Sequence, residues 1–140
     1  MVEGDSGEPV SQIILDEQIH NVHVPIALRS WITVSRVREL RPGTIIKDEA
    51  IPGLLRRLKQ PTFVTINVHD FWRRKLCDPR YCIVCMAVPD DKQFEIPRLL
   101  RDLFQSPQFK TRAARMGKIA HVGLEHMRYY QYGDGKACQL

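Results

Sequence analysis

No stretch of this 140-residue chain approaches the roughly 20 consecutive apolar residues that a membrane-crossing helix requires. Its first residues, MVEGDSGEPVSQ, carry acids, glycine and proline where a secretory leader has a basic start and an apolar centre. A cytoplasmic location is therefore expected. No glycine-rich loop follows the first apolar segment, which argues against a dinucleotide cradle. Internal repeats and low-complexity tracts are lacking. The five histidines, His20, His23, His69, His121 and His126, show neither H-x-x-x-H nor H-E-x-x-H spacing. Cysteine is scarce, with Cys77, Cys82, Cys85 and Cys138, and only Cys82 and Cys85 form a C-x-x-C. That pair lies in YCIVCMAV (81–88), which reads as a buried strand. Residues three apart on a strand point to opposite faces, so the two thiols cannot chelate one ion and are expected to pack as small core residues.

What is present suits one soluble α/β domain. The length fits a single domain, and 44% hydrophobic with 26% charged residues allows a real core. Residues 1–11 hold Glu3, Asp5 and Glu8 and no Lys or Arg. The rest carries 21 basic and 13 acidic residues, a net +8 that favours contact with polyanions such as nucleic acid. The expected organisation is a flexible tail over 1–11, one domain over 12–132, and a second flexible tail over 133–140.

Apolar patterning supplies the elements. QIIL (12–15) reads as a buried strand ending at Asp16-Glu17. Val24, Ala27, Leu28 and Trp31 follow the i, i+3, i+4, i+7 stripe of a helix, with Pro25 in its first turn. ITVSRV (32–37) alternates, as a strand near the sheet edge does. Ile51, Leu54, Leu55 and Leu58 form a second helical stripe, with Asp48 a plausible N-cap. TFVTINV (62–68) and YCIVCMAV are further strands. Ile96, Leu99, Leu100 and Leu103 mark another helix. Ser106-Pro107 looks like a helix start and Gly117 like its stop. KIAHVG (118–123) is a fifth strand, and the aromatic, then glycine-rich remainder reads as a short packed element with a frayed end. Strands alternating with amphipathic helices predict a three-layer α/β/α domain on a mostly parallel sheet of about five strands.

On that scaffold the acids fall together. Asp16 ends the first strand, Asp48 opens the helix after the second, and Asp70 follows the third, although 32 and 22 residues separate them in sequence. All three lie at the carboxyl edge of the sheet, where open α/β folds bind ligands. Glu17, Glu39 and Glu49 lie close by in sequence. Aspartates just after strands or at helix starts also have an ordinary reading as caps or turn residues, evenly balanced for Asp48; Asp16, in an acidic pair directly after a buried strand, has no obvious capping job, and Asp70 lies between. Clustered carboxylates repel, and a hard divalent cation such as Mg²⁺ is their natural counter-charge. Such an ion supports phosphodiester cleavage, and Arg56, Arg57, Lys59, Arg73, Arg74 and Lys75 are placed to draw in a phosphate backbone.

The phrases ILDEQI (14–19), KDEAI (47–51) and FVTINVHDF (63–71) resemble the successive motifs of small PIN-like domains, in order and spacing over about residues 12–123. The resemblance implies a Mg²⁺- or Mn²⁺-dependent ribonuclease with Asp16, Asp48 and Asp70 as metal ligands and catalytic acids. Asn67 and Glu17 would complete the ligand set, and Thr65, His69, Arg73 and Arg74 would contact RNA. It also implies similarity to the toxin halves of bacterial toxin–antitoxin pairs, with an antitoxin protein and a homodimer as possible associations. Two departures stand out. Asn67 sits near the position of the family's first acid in the third motif, and only Glu39 lies where larger relatives carry an additional one. The rival reading is an inactive module of the same fold that binds RNA or a protein. The basic face Lys110, Arg112, Arg115 and Lys118, with Tyr129, Tyr130 and Tyr132 downstream, suits that role or a plain solvated surface.

Overall fold

The computed structural model describes residues 11–140; of the expected N-terminal tail, 1–11, all but Ser11 lies outside the described residues. The described residues begin with strand β1 (Ile13–Leu15), helix α1 (His23–Arg29), strand β2 (Val34–Arg36) and a single turn, α2 (Val37–Leu40). A 3-10 turn at Asp48–Ala50 leads into α3 (Ile51–Arg56), followed by β3 (Thr62–Thr65) and the short α4 (Val68–Phe71). After β4 (Cys82–Met86) come α5 (Ile96–Gln105), the four-residue α6 (Arg112–Arg115) and β5 (Lys118–Val122). The chain closes with β6 (Met127–Gln131) and β7 (Cys138–Gln139). Among the described residues no helix is long and apolar enough to cross a membrane.

These strands form one sheet in the order β2-β1-β3-β4-β5-β6-β7. The first five are mutually parallel, and β6 and β7 add on antiparallel. Side-chain alternation divides the core into two layers. On one face Ile13, Leu15, Val64, Cys82, Val84 and Ala120 pack beneath α1 and α5. On the other, Ile14, Phe63, Ile83, Cys85 and Ile119 pack beneath α3 and α4. Cys82 and Cys85 thus reach opposite layers, both fully buried and unpaired, as the period of two requires. Packing holds α5, which lacks a side-chain cap: Ile96, Leu99, Leu100 and Leu103 are all buried. Each such side chain contributes roughly 2 kcal/mol on burial, more than the ~1 kcal/mol a cap adds.

Three expectations are corrected. Among the described residues the sheet has seven strands rather than about five, because MRYYQ pairs with β5 as a hairpin and Cys138–Gln139 pairs with MRYYQ. Its alternation sends Tyr129 against Phe109 on one face and stacks Tyr130 on Trp72 on the other, with ring centroids 4.1 Å apart. The expected frayed end, 133–140, returns to this hairpin through the Tyr129–Cys138 pairing. The helix expected to open at Ser106-Pro107 shrinks to Arg112–Arg115, capped by the Thr111 hydroxyl. Ser106 instead closes α5, its hydroxyl donating to the Leu103 carbonyl. Gly117 does end that segment, at φ +87°, a backbone conformation that disfavours a side chain.

Candidate functional site

The strand order places the reversal of chain direction between β1 and β3: the chain runs outward from β1 to β2, then crosses back to β3 on the other side. Ligands of open α/β sheets bind in the crevice at such a switch point, outside the carboxyl ends of the strands. Register fixes what lines it. Leu15 pairs with Val64, so Asp16 lies beside Thr65, and the amide of Asp16 donates to the Val64 carbonyl. By alternation both share the face covered by α3 and α4. The turn opening α3 then brings Asp48 to the same place, and the turn after β3 brings Asn67 and Asp70.

The side chains form a connected network. Thr65, fully buried, donates its hydroxyl to Asp16 Oδ2 at 2.6 Å. Asn67 Nδ2 donates to Asp48 Oδ2 at 2.8 Å and to Asp70 Oδ2 at 2.9 Å. The Asn67 carbonyl oxygen accepts from the Asp70 amide, capping α4. Asp48 makes no capping bond, so its ordinary reading as an N-cap is not what the structure shows. Asp48 also divides two clefts. One, about 420 Å³, holds Asp16 and Glu17; the other, about 350 Å³, holds Glu49, Asp70, Arg73 and Lys75.

Among the described residues, none of Asp16, Asp48 and Asp70 forms an ion pair. Asp16 is only 6% exposed. Burial raises its carboxyl above the ordinary value, against the pull of the Thr65 hydroxyl and of backbone amides. Asp48 is raised as well, first by burial and then by the charge of Asp16. Other acids are engaged elsewhere. Glu17 accepts from the Arg38 amide and pairs with its guanidinium, and Glu39 accepts from the Arg36 amide.

Of the residues expected to contact substrate, Arg73 lines the cleft beside Asp70 and His69 is exposed on α4. Thr65 does not fit that expectation; its burial makes it a positioning residue for Asp16. Arg74 turns away, donating to the Gly135 carbonyl. Asn67, expected as an oxygen ligand, turns its amide nitrogen toward the two carboxylates. The bond from Thr65 to Asp16 escaped sequence reasoning because it depends on the β1–β3 register.

An all-oxygen donor set of this kind suits a hard divalent cation, which is commonly held by one or two carboxylates, waters and substrate phosphates. It is not a ready cage: among the described residues no three His, Cys, Asp or Glu side chains stand together in a metal-holding arrangement. The Asn67 amide lies between Asp48 and Asp70 and donates to both. No protein-family model, curated protein or solved structure matches this chain.

Proposed function

We propose that this protein is a metal-dependent ribonuclease of PIN-like type, working at the β1/β3 crevice with Mg²⁺ or Mn²⁺. The observation that carries the proposal is the meeting of Asp16, Asp48 and Asp70 at the switch point with no basic side chain paired to any of them among the described residues. In a chain of net charge +5, uncompensated acids at a ligand-binding edge call for an external cation. Asp48 and Asp70 would hold the ion once Asn67 turns its amide aside, and Asp16 would face it from the buried side. When bound, the ion supplies an activated water and neutralises charge on the scissile phosphate. Thr65 keeps Asp16 aimed into the crevice, while Arg73 and Lys75 at its rim attract the phosphate backbone. A role as the toxin half of a toxin–antitoxin pair, with a protein antitoxin and a homodimeric state, extends the proposal on the sequence resemblance.

The test is incubation of the purified protein with structured and single-stranded RNAs in Mg²⁺, Mn²⁺ or EDTA, beside Asp16→Asn and Asp70→Asn. Metal-requiring cleavage that disappears in both variants supports the nuclease. Folded protein that forms a salt-sensitive RNA complex and never cuts overturns it in favour of the second reading, a non-catalytic RNA- or protein-binding module. The Asn67 bridge favours that second reading, since it satisfies Asp48 and Asp70 without any ion.

A further inference from the structure

The edge opposite the acidic crevice, where the parallel strands begin, has the reverse character. Two adjoining clefts of about 640 and 520 Å³ share Gln12, Trp31 and Ile32. Among the described residues no Asp or Glu lines either of them, whereas Arg101, Lys110, Arg112 and Arg115 line the second and Arg29 the first. Asp102, next to Arg101 in the chain, is bound to Arg98 instead.

Arg115 is 5% exposed, and among the described residues its guanidinium meets only neutral acceptors: the Phe109 carbonyl at 2.8 Å, Gln12 Oε1 at 3.1 Å and the Lys110 carbonyl at 3.4 Å. Arg112 likewise donates to the carbonyls of Lys59 at 2.6 Å and Gln60 at 3.1 Å. Carbonyl oxygens satisfy the N–H groups but cancel no charge. Taking a guanidinium out of water without a counter-charge is costly, and among the described residues no carboxylate pairs with Arg101, Lys110, Arg112 or Arg115. Planar groups accompany the charge: the Arg101 guanidinium lies 4.7 Å from the centroid of the half-buried Trp31 ring, which meets Phe104 edge-on.

We infer that this basic cleft is a docking site for single-stranded RNA, its phosphates held by Arg101, Lys110 and the half-buried Arg112, with the buried Arg115 adding only its charge, and a base stacked at the Trp31–Arg101 pair. Basic grooves with interleaved planar side chains bind single strands in this way, since every unpaired base offers a stacking face. A duplex keeps its bases stacked inside and has no use for Trp31. The inference does not rest on the nuclease proposal, because an inactive protein would keep the same cleft.

The test measures fluorescence anisotropy of a labelled single-stranded RNA of about 20 nucleotides with the full chain in EDTA, over a range of salt; fewer than ten phosphate contacts keep the expected slope measurable. Arg101→Gln/Lys110→Gln changes two exposed side chains, and Lys92→Gln/Lys136→Gln removes the same charge from exposed positions outside the cleft. The cleft pair is expected to weaken binding about tenfold or more and to lower the salt slope by roughly 1.4. The control pair should change binding by about twofold or less under the same screening. Trp31→Leu, with its fold checked by circular dichroism, should weaken single-strand binding about tenfold, as loss of one stacked base does. Equal losses in the two charge pairs, duplex binding as tight as single-strand binding, or no RNA binding at all would each overturn the inference. None of these readouts involves cleavage, so failure of the nuclease proposal leaves them interpretable.

Discussion

The two ends of one sheet handle charge in opposite ways. At the carboxyl edge Asp16, Asp48 and Asp70 converge with no ion pair among the described residues; at the amino edge Arg101, Lys110, Arg112 and Arg115 converge with none either. Elsewhere acids and bases do pair, as Asp78 does with Arg56 and Arg80, and Arg98 with Glu95 and Asp102. Segregation to opposite edges is therefore a local property of these two sites and not a shortage of partners. Each edge also satisfies its hydrogen bonds internally with neutral groups, Asn67 and Thr65 for the acids, backbone carbonyls and Gln12 for the bases. Hydrogen-bond satisfaction without charge compensation is what the two proposals build on, a cation at one edge and a polyanion at the other.

On the proposed nuclease reading, the largest effect that separates the edges is catalytic. Asp16→Asn should reduce metal-dependent RNA cleavage more than about 100-fold, beyond the 10- to 100-fold expected when only a supporting partner of a metal ligand is lost. Thr65→Val, removing such a partner, should fall within that lower range. Cleavage rates on one RNA with Mg²⁺ decide the order. Equal rates for all three proteins would remove Asp16 from the site.

Next in size is the stability of the amino edge. Arg115→Ala removes packing of the guanidinium over Phe104, 3.5 Å from the ring centroid, and strands the Phe109 carbonyl. A loss of about 2–3 kcal/mol in chemical denaturation is expected. Arg101→Ala, at an exposed side chain with no ion pair among the described residues, should cost only about 0.5–1 kcal/mol, the worth of its contact with Trp31. Similar losses for both would mean that the buried guanidinium has no special structural part.

Much of this was legible from residues alone. The β1, β3 and β4 strands, the α5 stripe, the opposite faces of the C-x-x-C and the gathering of three acids at one edge all follow from period and order. The C-terminal hairpin was not, because MRYYQ mixes polar and aromatic residues without a clean apolar face, and its partner strand supplies the pairing. Burial of Arg115 was hidden for a similar reason. RAAR looks like a solvated basic turn, and only the packing of Phe104 and Phe109 around it encloses the guanidinium. The role of Asn67 was half visible: its departure from an acidic pattern could be read, but the direction of its amide could not.

Asn67→Asp sharpens the comparison at the acidic edge alone. It replaces a donor to two carboxylates by a third negative charge, so the metal-free protein should lose about 1–2 kcal/mol, the cost of unsatisfied and repelling groups. Added Mg²⁺ should then raise the unfolding midpoint of Asn67→Asp more than that of the parent, since an ion that binds only the folded state stabilises in proportion to its affinity. A midpoint indifferent to Mg²⁺ in both proteins would indicate that no ion enters between Asp48 and Asp70.

The smallest expected effect is on the pH dependence of folding. The Asp16 carboxyl is raised above its ordinary 3.8 by burial, so the folded protein holds that proton more tightly than the unfolded chain. The stability this contributes is fully present below 3.8 and is lost as pH rises through the higher folded value, because the unfolded chain then binds fewer protons. Where the carboxyl is ionised, its burial is a cost that Asp16→Asn removes. The gap in unfolding temperature between variant and parent should therefore open in the variant's favour as the pH rises, and narrow as the pH is lowered toward 3.8. Mg²⁺ should narrow it too, from the other side, by stabilising only the parent's charged form. A gap that is constant across this pH range would mean that Asp16 is compensated within the fold, and the contrast between the two edges would then rest on the basic cleft alone.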